Sequence, residues 1–420
     1  MAVVKPFKGI LPSRDKVHLV TSRSFDSYDQ HTLNDKLKYN PFSFLHIIKP
    51  DFNAEKKIKS NSPDYLQNVR AKYEEFLKKE YFESEERDSF YVYRQESYGN
   101  VYTGIIGCAS IDDYVDGVIK VHEQTLGHRE EKLKDYLRVV NINAEPVCLT
   151  YTPDYRLEEI MNVTVEQEPF FDFSTTDNTR HKLWKISDDT TVAEISKRFE
   201  GMEAVYIADG HHRSASSALL GQVMRNENPT AQSDAGFNYF MSIYIPSDQL
   251  KIHEYNRLVK DLNGLSVIEF LKRVEEKFEV EERGKKAVIP DEEHIFGMYL
   301  KNKWYQLTVD KSAMDNSTAI GSLDAKILSQ YLLSPILNIT DLSSRKSARI
   351  SFVGGVGIDV VKRVQKSVDD GDMKVAFTLF PATVEQLIKV ADNKEIMPPK
   401  STWVEPKMRS ALVIYSLSDS

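Results

Sequence analysis

The chain has 420 residues, 41% of them apolar and 28% charged, an ordinary globular composition that excludes disordered, collagen-like and mucin-like readings. At about 150 residues per domain it predicts two or three domains or one large composite core. The net charge of −8 gives no cationic field for non-specific DNA or anionic membrane binding, so neither is expected as a partner.

The first sixteen residues, MAVVKPFKGILPSRDK, have no apolar run of about 7–15 residues after their basic positions. No stretch of about 18 apolar residues occurs anywhere, so neither a standard export signal nor a membrane span is expected. Residues 1–60 carry turn signals at Lys8-Gly9, Leu11-Pro12, Asn40-Pro41 and Lys49-Pro50 and predict irregular structure laid over a core. Over 63–82, Tyr65, Val69, Tyr73, Phe76 and Leu77 recur at helical spacing among charged residues, an amphipathic helix. Phe90–Gln95 and Val101–Cys108 predict a hairpin turning at 97–100. A short strand over 118–122 follows Asp116-Gly117, and Leu133, Leu137 and Val140 mark one face of the next helix. Val147–Tyr151 reads as a strand, Val192–Phe199 as a short helix and Glu203–Ala208 as a strand closed by Asp209-Gly210. The helix from His211 to about Arg225 carries a small-residue face able to sit close to a sheet, and Phe237–Ile245 is a strand ended by Pro246. Beyond a boundary near 250 the pattern alternates: helix 267–278, strands 294–300 and 304–309, helix 323–333, strand 375–380, helix 381–392 with proline near its first turn, and a last strand over 412–417. Cys108 and Cys148 have neither a disulfide-framework pattern nor metal-ligand spacing, which fits a reducing cytoplasm.

The sharpest chemical feature is Tyr206-Ile207-Ala208-Asp209-Gly210-His211-His212-Arg213-Ser214, a strand passing through glycine into a helix. Free N–H groups and partial positive charge at a first helical turn favour an anion, and Arg213 adds a forked donor suited to phosphate. The competing reading makes Asp209 a cap, Gly210 a turn residue and Arg213 half of a salt bridge. Adjacent histidines on a regular element cannot both face one metal, so His211 and His212 are not expected to chelate, and no protein metal-ligand set is predicted. The second feature is His122-Glu123-Gln124-Thr125 just after a short strand. Glu123 is placed to accept a proton from a hydroxyl substrate, or to hold Mg²⁺ through water; the alternative is that Glu123 and Thr125 cap the next helix. His122 and Asp209 accompany it as candidate catalytic groups. The third is Lys400-Ser401-Thr402 with Lys407 nearby, cations and hydroxyls suited to a phosphate-contacting loop or to an exposed crossover. Gly354-Gly355-Val356-Gly357 lacks both nucleotide-loop patterns and is read as a turn. No HExxH, CxxC, GxSxG or EF-hand pattern appears.

The set HEQT at 122–125, YIADGHHRSA at 206–215, VAFTLFP at 375–381 and MPPKSTWVEPK at 397–407 resembles the uncharacterised family catalogued as domain of unknown function number 1015, over nearly the whole chain. Where that family has an APPYD-like segment, this chain has Ser24-Phe25-Asp26-Ser27-Tyr28-Asp29. The DGHHR turn resembles the phosphate corner of the ParB and sulfiredoxin superfamily, which includes free serine kinases. The resemblance implies an α/β (α+β) fold: a ParB/sulfiredoxin-like nucleotide-binding core over 100–250, an N-terminal segment over 1–99 packed on it, and a C-terminal α/β domain over 251–420 contributing the Lys400 loop. It implies phosphoryl transfer from ATP or ADP, with Mg²⁺, to a small hydroxyl compound, free L-serine first. Glu123 would be the base, and Asp209, Gly210, His211, His212 and Arg213 would hold the nucleotide phosphates. The resemblance also admits a nucleotide-gated switch that binds DNA or protein. Sulfiredoxin-like chemistry is the weaker reading, because His211 and not a cysteine stands in the turn.

Overall fold

The computed structural model describes residues 1–309, 317–340, 342, 349–356 and 358–418. The chain is mixed α/β and forms two compact units, Met1–Leu250 with Pro406–Ser420, and Lys251–Glu405. Residues 406–420, assigned from the sequence to the C-terminal domain, thus lie in the first unit.

The first unit is built on a nine-stranded sheet. Its spatial order is Phe171–Ser174, Arg180–Ile186, Phe90–Ser97, Asn100–Ser110, Tyr239–Pro246, Val147–Tyr151, Val205–Asp209 and Ile119–Lys120, with Val4–Lys5 also paired to Asn100–Ser110. The hairpin closes tightly because Tyr98 and Gly99 both adopt positive φ, 51° and 77°, while Ser97 pairs with Asn100; two left-handed residues match the twist of the flanking strands. Every side chain of Val147–Tyr151 is buried, the uninterrupted apolar pattern of a strand covered on both faces. One covering element is the helix Asp189–Glu200, capped by Asp188, whose side chain accepts from the Thr191 amide. From it Phe199, fully buried, packs edge-on to Tyr151 at 5.4 Å and tilted to Tyr244 at 4.6 Å between ring centroids.

Two of the neighbouring pairs in this sheet are parallel, and one of them positions the chemistry. Ile119 lies beside Val205 and Lys120 beside Tyr206 in parallel register. Strands running the same way release their following residues at the same end of the sheet, so His122-Glu123 and Asp209-Gly210 emerge together. The Val205–Asp209 strand also carries a register shift against Val147–Tyr151 between Ile207 and Asp209, a bulge that re-aims the chain just before the turn.

The N-terminal sixty residues are more ordered than their turn signals suggest. They include the helix Gln30–Tyr39, capped by the Asp29 carboxylate accepting from the Thr32 amide. Only Leu33 and Leu37 of it are buried, so its apolar period is faint. The helix Pro63–Lys78 buries Tyr65, Leu66, Val69, Tyr73 and Phe76 in a cluster with Val140, Ile142, Ala411 and Ile414. The strand expected over 412–417 shortens to Tyr415–Ser416, paired with Ile142–Asn143.

The second unit contains an antiparallel six-stranded sheet ordered Phe278–Gly284, Lys303–Val309, Ile295–Leu300, Val375–Leu379, Tyr255–Val259 and Ile350–Gly354. The helix expected from Pro381 begins at Val384. Thr383 and Gln386 form a reciprocal capping box there, which fixes the first turn beyond the proline. The helix Asp324–Leu328 widens into a π turn over Ser329–Leu333. Gly354–Val356 precede the helix Ile358–Asp369, and Gly357 lies outside the described residues. Among the described residues no helix is long and apolar enough to cross a membrane.

Truncating Phe199 to alanine should cost about 3–5 kcal/mol, because the three-ring contact cannot close over the void. Equilibrium urea unfolding measures this, and a loss below about 1 kcal/mol would show that the 189–200 helix is not anchored through that ring.

Candidate functional site: a paired-charge corner at a helix start

Gly210 has φ 105°, a conformation that side-chain-bearing residues avoid, and a Cβ there would meet Arg213 Nε and Nη2 at 2.9 Å. Its carbonyl accepts from the amides of Arg213 at 2.9 Å and Ser214 at 3.1 Å, opening the helix His211–Glu227. No side chain caps that helix among the described residues, so Asp209 is not its N-cap. The small face predicted for this helix allows a close approach: a Cβ on Gly221 would fall 2.2 Å from Ile111 Cδ1.

Instead of capping, Asp209 pairs. Arg213 Nη2 donates to Asp209 Oδ2 at 2.9 Å and Arg213 Nη1 to Glu145 Oε1. Lys407 Nζ reaches the other Asp209 oxygen at 3.2 Å, and Ser410 Oγ donates to Glu145 Oε2 at 2.9 Å. The Arg213 side chain keeps 23% of its exposure, yet enough protein surrounds the guanidinium that burial lowers its pKa to about 10. It therefore stays charged at neutral pH. Two cations face two carboxylates, so this corner is electrically balanced. Glu145 and Ser410 were not singled out in the sequence; a lone Glu-Pro before a strand and a serine in a short return segment carry no periodic or motif signal.

Beside the corner, His211 is 5% exposed and stands edge-on to His122, 1% exposed, with ring centroids 4.5 Å apart. His211 Nε2 accepts the His122 backbone N–H at 3.4 Å, which assigns the ring proton to Nδ1. That nitrogen lies 3.8 Å from Glu123 Oε2, on a side chain 45% exposed. Burial, followed by the neighbouring His122 and His212 rings, pushes the His211 pKa well below its ordinary value. Burial likewise takes His122 down to about 4, against the opposing pull of Asp209 and the Ile207 backbone. Both rings are neutral near pH 7. The fold thus brings Glu123, His122, Asp209, Gly210, His211, His212, Arg213 and Lys407 into the first unit, with Glu123 and the turn side by side. Lys400, Ser401 and Thr402 belong to the second unit, where the Lys400 carbonyl accepts from Arg257 Nη2 at 3.2 Å and Ser401 Oγ donates to the Pro398 carbonyl at 2.6 Å.

For Mg²⁺, among the described residues no group of three or more His, Cys, Asp or Glu side chains could hold a metal. Glu123, on a side chain 45% exposed, offers a carboxylate to solvent, while both Asp209 oxygens, on a side chain 41% exposed, already accept from Arg213 and Lys407. That donor set fits an ion carried on nucleotide phosphates, which needs only one or two protein carboxylates, and not an all-protein cage. Both cysteines are free and buried, and burial raises both thiol pKa values, leaving no thiolate for redox chemistry at neutral pH.

These features define a mixed α/β protein whose first unit sets an exposed carboxylate against a charged helix start. The chain belongs to the family described as Protein of unknown function (DUF1015), whose model matches residues 4–326. The segments at 375–381 and 397–407 lie beyond that match. No curated protein matches the chain. Solved structures similar to it include a conserved hypothetical protein from Pyrococcus furiosus, at 15% identity and TM-score 0.33, covering 72% of this chain and 92% of that one. A mutant free serine kinase in complex with AMP aligns at 15% identity and TM-score 0.35, covering 72% and 89%. SbnI with a C-terminal truncation, from Staphylococcus aureus, aligns at 12% identity and TM-score 0.38, covering 71% and 82%. Likeness this loose carries neither substrate nor cofactor across.

Replacing Gly210 by alanine should destabilise the chain by about 1–3 kcal/mol and displace the Arg213 fork; an unchanged urea midpoint would contradict the strained turn. A second expectation concerns pH. His122 has a folded pKa near 4 against 6.5 ordinarily, so the unfolded chain binds the proton first. Its contribution is complete above about pH 6.5 and declines as pH falls toward 4, by about 3 kcal/mol in all. The variant His122→Gln should show at least that much less acid destabilisation between pH 7 and 4, because the His122 ring also helps to lower the pKa of His211. Equal pH slopes would contradict a neutral buried His122.

Proposed function

We propose that this protein is a nucleotide-dependent phosphotransferase that phosphorylates a small hydroxyl compound, with free L-serine, giving O-phospho-L-serine, as the first acceptor to test. The observation that carries the reading is the convergence of Glu123 with the Asp209–Arg213 turn: a solvent-facing carboxylate 3.8 Å from the ring of His211, whose own residue opens the helix. Phosphoryl transfer asks for positioning and charge compensation more than for covalent catalysis; this set of groups supplies the positioning, and its cations are shared with Asp209 and Glu145.

In this reading Glu123 accepts the acceptor hydroxyl proton as its oxygen bonds to the terminal phosphorus. The bond from that phosphorus to the bridging oxygen breaks, and the nucleotide leaves one phosphate shorter. Neutral His211, its Nδ1 3.8 Å from Glu123 Oε2, stands beside the carboxylate without competing for the proton. Arg213 and Lys407 bind phosphate oxygens, and Asp209 and Glu145 hold the two cations in place beforehand. Because those carboxylates already balance the cations, the corner alone has no surplus charge for a polyphosphate. Mg²⁺ arriving with the nucleotide would neutralise phosphate charge there.

The variant Glu123→Gln should lose about 10²–10⁴-fold in turnover with nucleotide affinity largely kept. Arg213→Met should lose affinity as well as turnover, because it removes an anchoring charge. Mass spectrometry of the phosphorylated product, with ATP or ADP, Mg²⁺ and L-serine, reads both. Unchanged turnover in Glu123→Gln would remove that residue as the base.

A further inference from the structure

A second group of cations in the first unit has no part in the phosphotransfer reading. Ser22–Arg23 pairs antiparallel with Arg409–Ser410, and Arg409 lies directly opposite Arg23. Opposite residues of such a pair share one face, with Cβ atoms about 5 Å apart, and like charges there destabilise the pairing. Two guanidinium side chains therefore leave the same face of a two-residue ladder. Ser410, on the other face, reaches the Glu145 carboxylate of the corner.

Arg409 is 8% exposed, and it donates to Thr21 Oγ1 at 3.1 Å and to the Thr21 carbonyl at 2.7 Å. Neither acceptor is charged, and among the described residues Arg409 makes no ion pair. Arg23 Nη2 donates to Asp177 Oδ2, and the other Asp177 oxygen accepts from Thr175 Oγ1. Lys36 brings a third cation, its Nζ 5.5 Å from the centroid of the Tyr28 ring. Tyr28 Oη in turn accepts the Arg23 backbone N–H at 2.8 Å, which leaves its own hydroxyl hydrogen to donate. Burial and then Arg409 lower the Lys36 pKa, against the pull of Asp177. Asp177 also draws on Arg409, so one carboxylate, with both oxygens already bonded, serves three cations. Two positive charges are left over. The nearby His181 adds none, because burial takes its pKa down to about 3.

The group needs no closed cavity to take a ligand. Arg23 keeps 44% of its side-chain exposure, Lys36 and Tyr28 are half-buried, and Arg23 Nε and Nη1 make no hydrogen bond among the described residues. A phosphate group carries about −1.5 to −2 at neutral pH and takes forked donors well, so it matches both the surplus and the free donors better than a single carboxylate does. We infer that this face of the ladder binds a phosphate group through Arg23 and Lys36, with Arg409 behind them and the Tyr28 hydroxyl donating. Unlike the corner at Arg213, whose cations are balanced by carboxylates, this site is short of negative charge. The inference rests on the 22–23 and 409–410 ladder and not on the phosphotransfer reading.

The test titrates the full chain calorimetrically at pH 7 with inorganic phosphate, with glycerol 3-phosphate and, at matched ionic strength, with acetate. At least one of the two phosphates should bind saturably, at least about 10-fold more tightly than acetate. Tighter binding of the ester identifies a phosphorylated compound as the source, and tighter binding of inorganic phosphate the free ion; either supports the site. The variants Arg23→Gln and Lys36→Met, at partly exposed positions that disturb folding little, should each weaken binding by at least about 10-fold. Arg409→Met should do the same where circular dichroism shows it folded. Binding should persist in Arg213→Met, so failure of this site and failure of the phosphotransfer reading are separately visible. No saturable binding of either phosphate, binding no tighter than that of acetate, or binding kept in Arg23→Gln and Lys36→Met, would overturn the inference.

Discussion

The first unit depends on a guanidinium held between two carboxylates. Arg213 bridges Asp209, at the end of a strand, and Glu145, just before another, while Lys407 returns from the far end of the sequence to the second Asp209 oxygen. Taking such charges partly out of water costs several kcal/mol unless each finds a partner, so the corner exists only when strand, turn, helix and C-terminal return are all in place. Gly210 is the hinge of this arrangement, because only a residue without Cβ leaves room for the fork to fold back over the turn.

The same pairing shapes the chemistry. A corner of free cations would attract any anion; one in which each cation is tied to a carboxylate holds its geometry when empty, and in the proposed reading a polyphosphate would enter only by sharing those contacts. Preorganisation of that kind lowers the cost of ordering at the moment of binding. The buried neutral pair His122 and His211 adds rigidity beside Glu123. Because both rings lie far from their ordinary titration range, they do not turn the site on or off near neutral pH.

Much of this was legible in the sequence where local signals are strong. The 90–110 hairpin, the strand–glycine–helix passage at 205–227 and the 63–78 helix follow from alternation, left-handed turn residues and helical spacing. What escaped was decided at long range. The pairing of 119–120 with 205–206 that sets Glu123 beside His211 has no local pattern to report it, although the family resemblance implied that the two face each other. Glu145 and Ser410 enter the corner only through the tertiary fold. Arg213 was read as a phosphate donor with a salt bridge as the rival; the ion pairs are present, and they are what aims the fork. The late helix began at Val384 and not at Pro381, because the Thr383 capping box outweighs the proline preference.

Hydrogen exchange of the full chain with and without Mg²⁺ and ADP tests most directly whether the corner grips a polyphosphate opposite Glu123. Slowed exchange at the amides of residues 210–214, accompanied by 122–124, is the predicted result. Nucleotide binding that leaves both stretches unprotected while slowing exchange elsewhere, or no binding of ADP or ATP at all, would contradict the account.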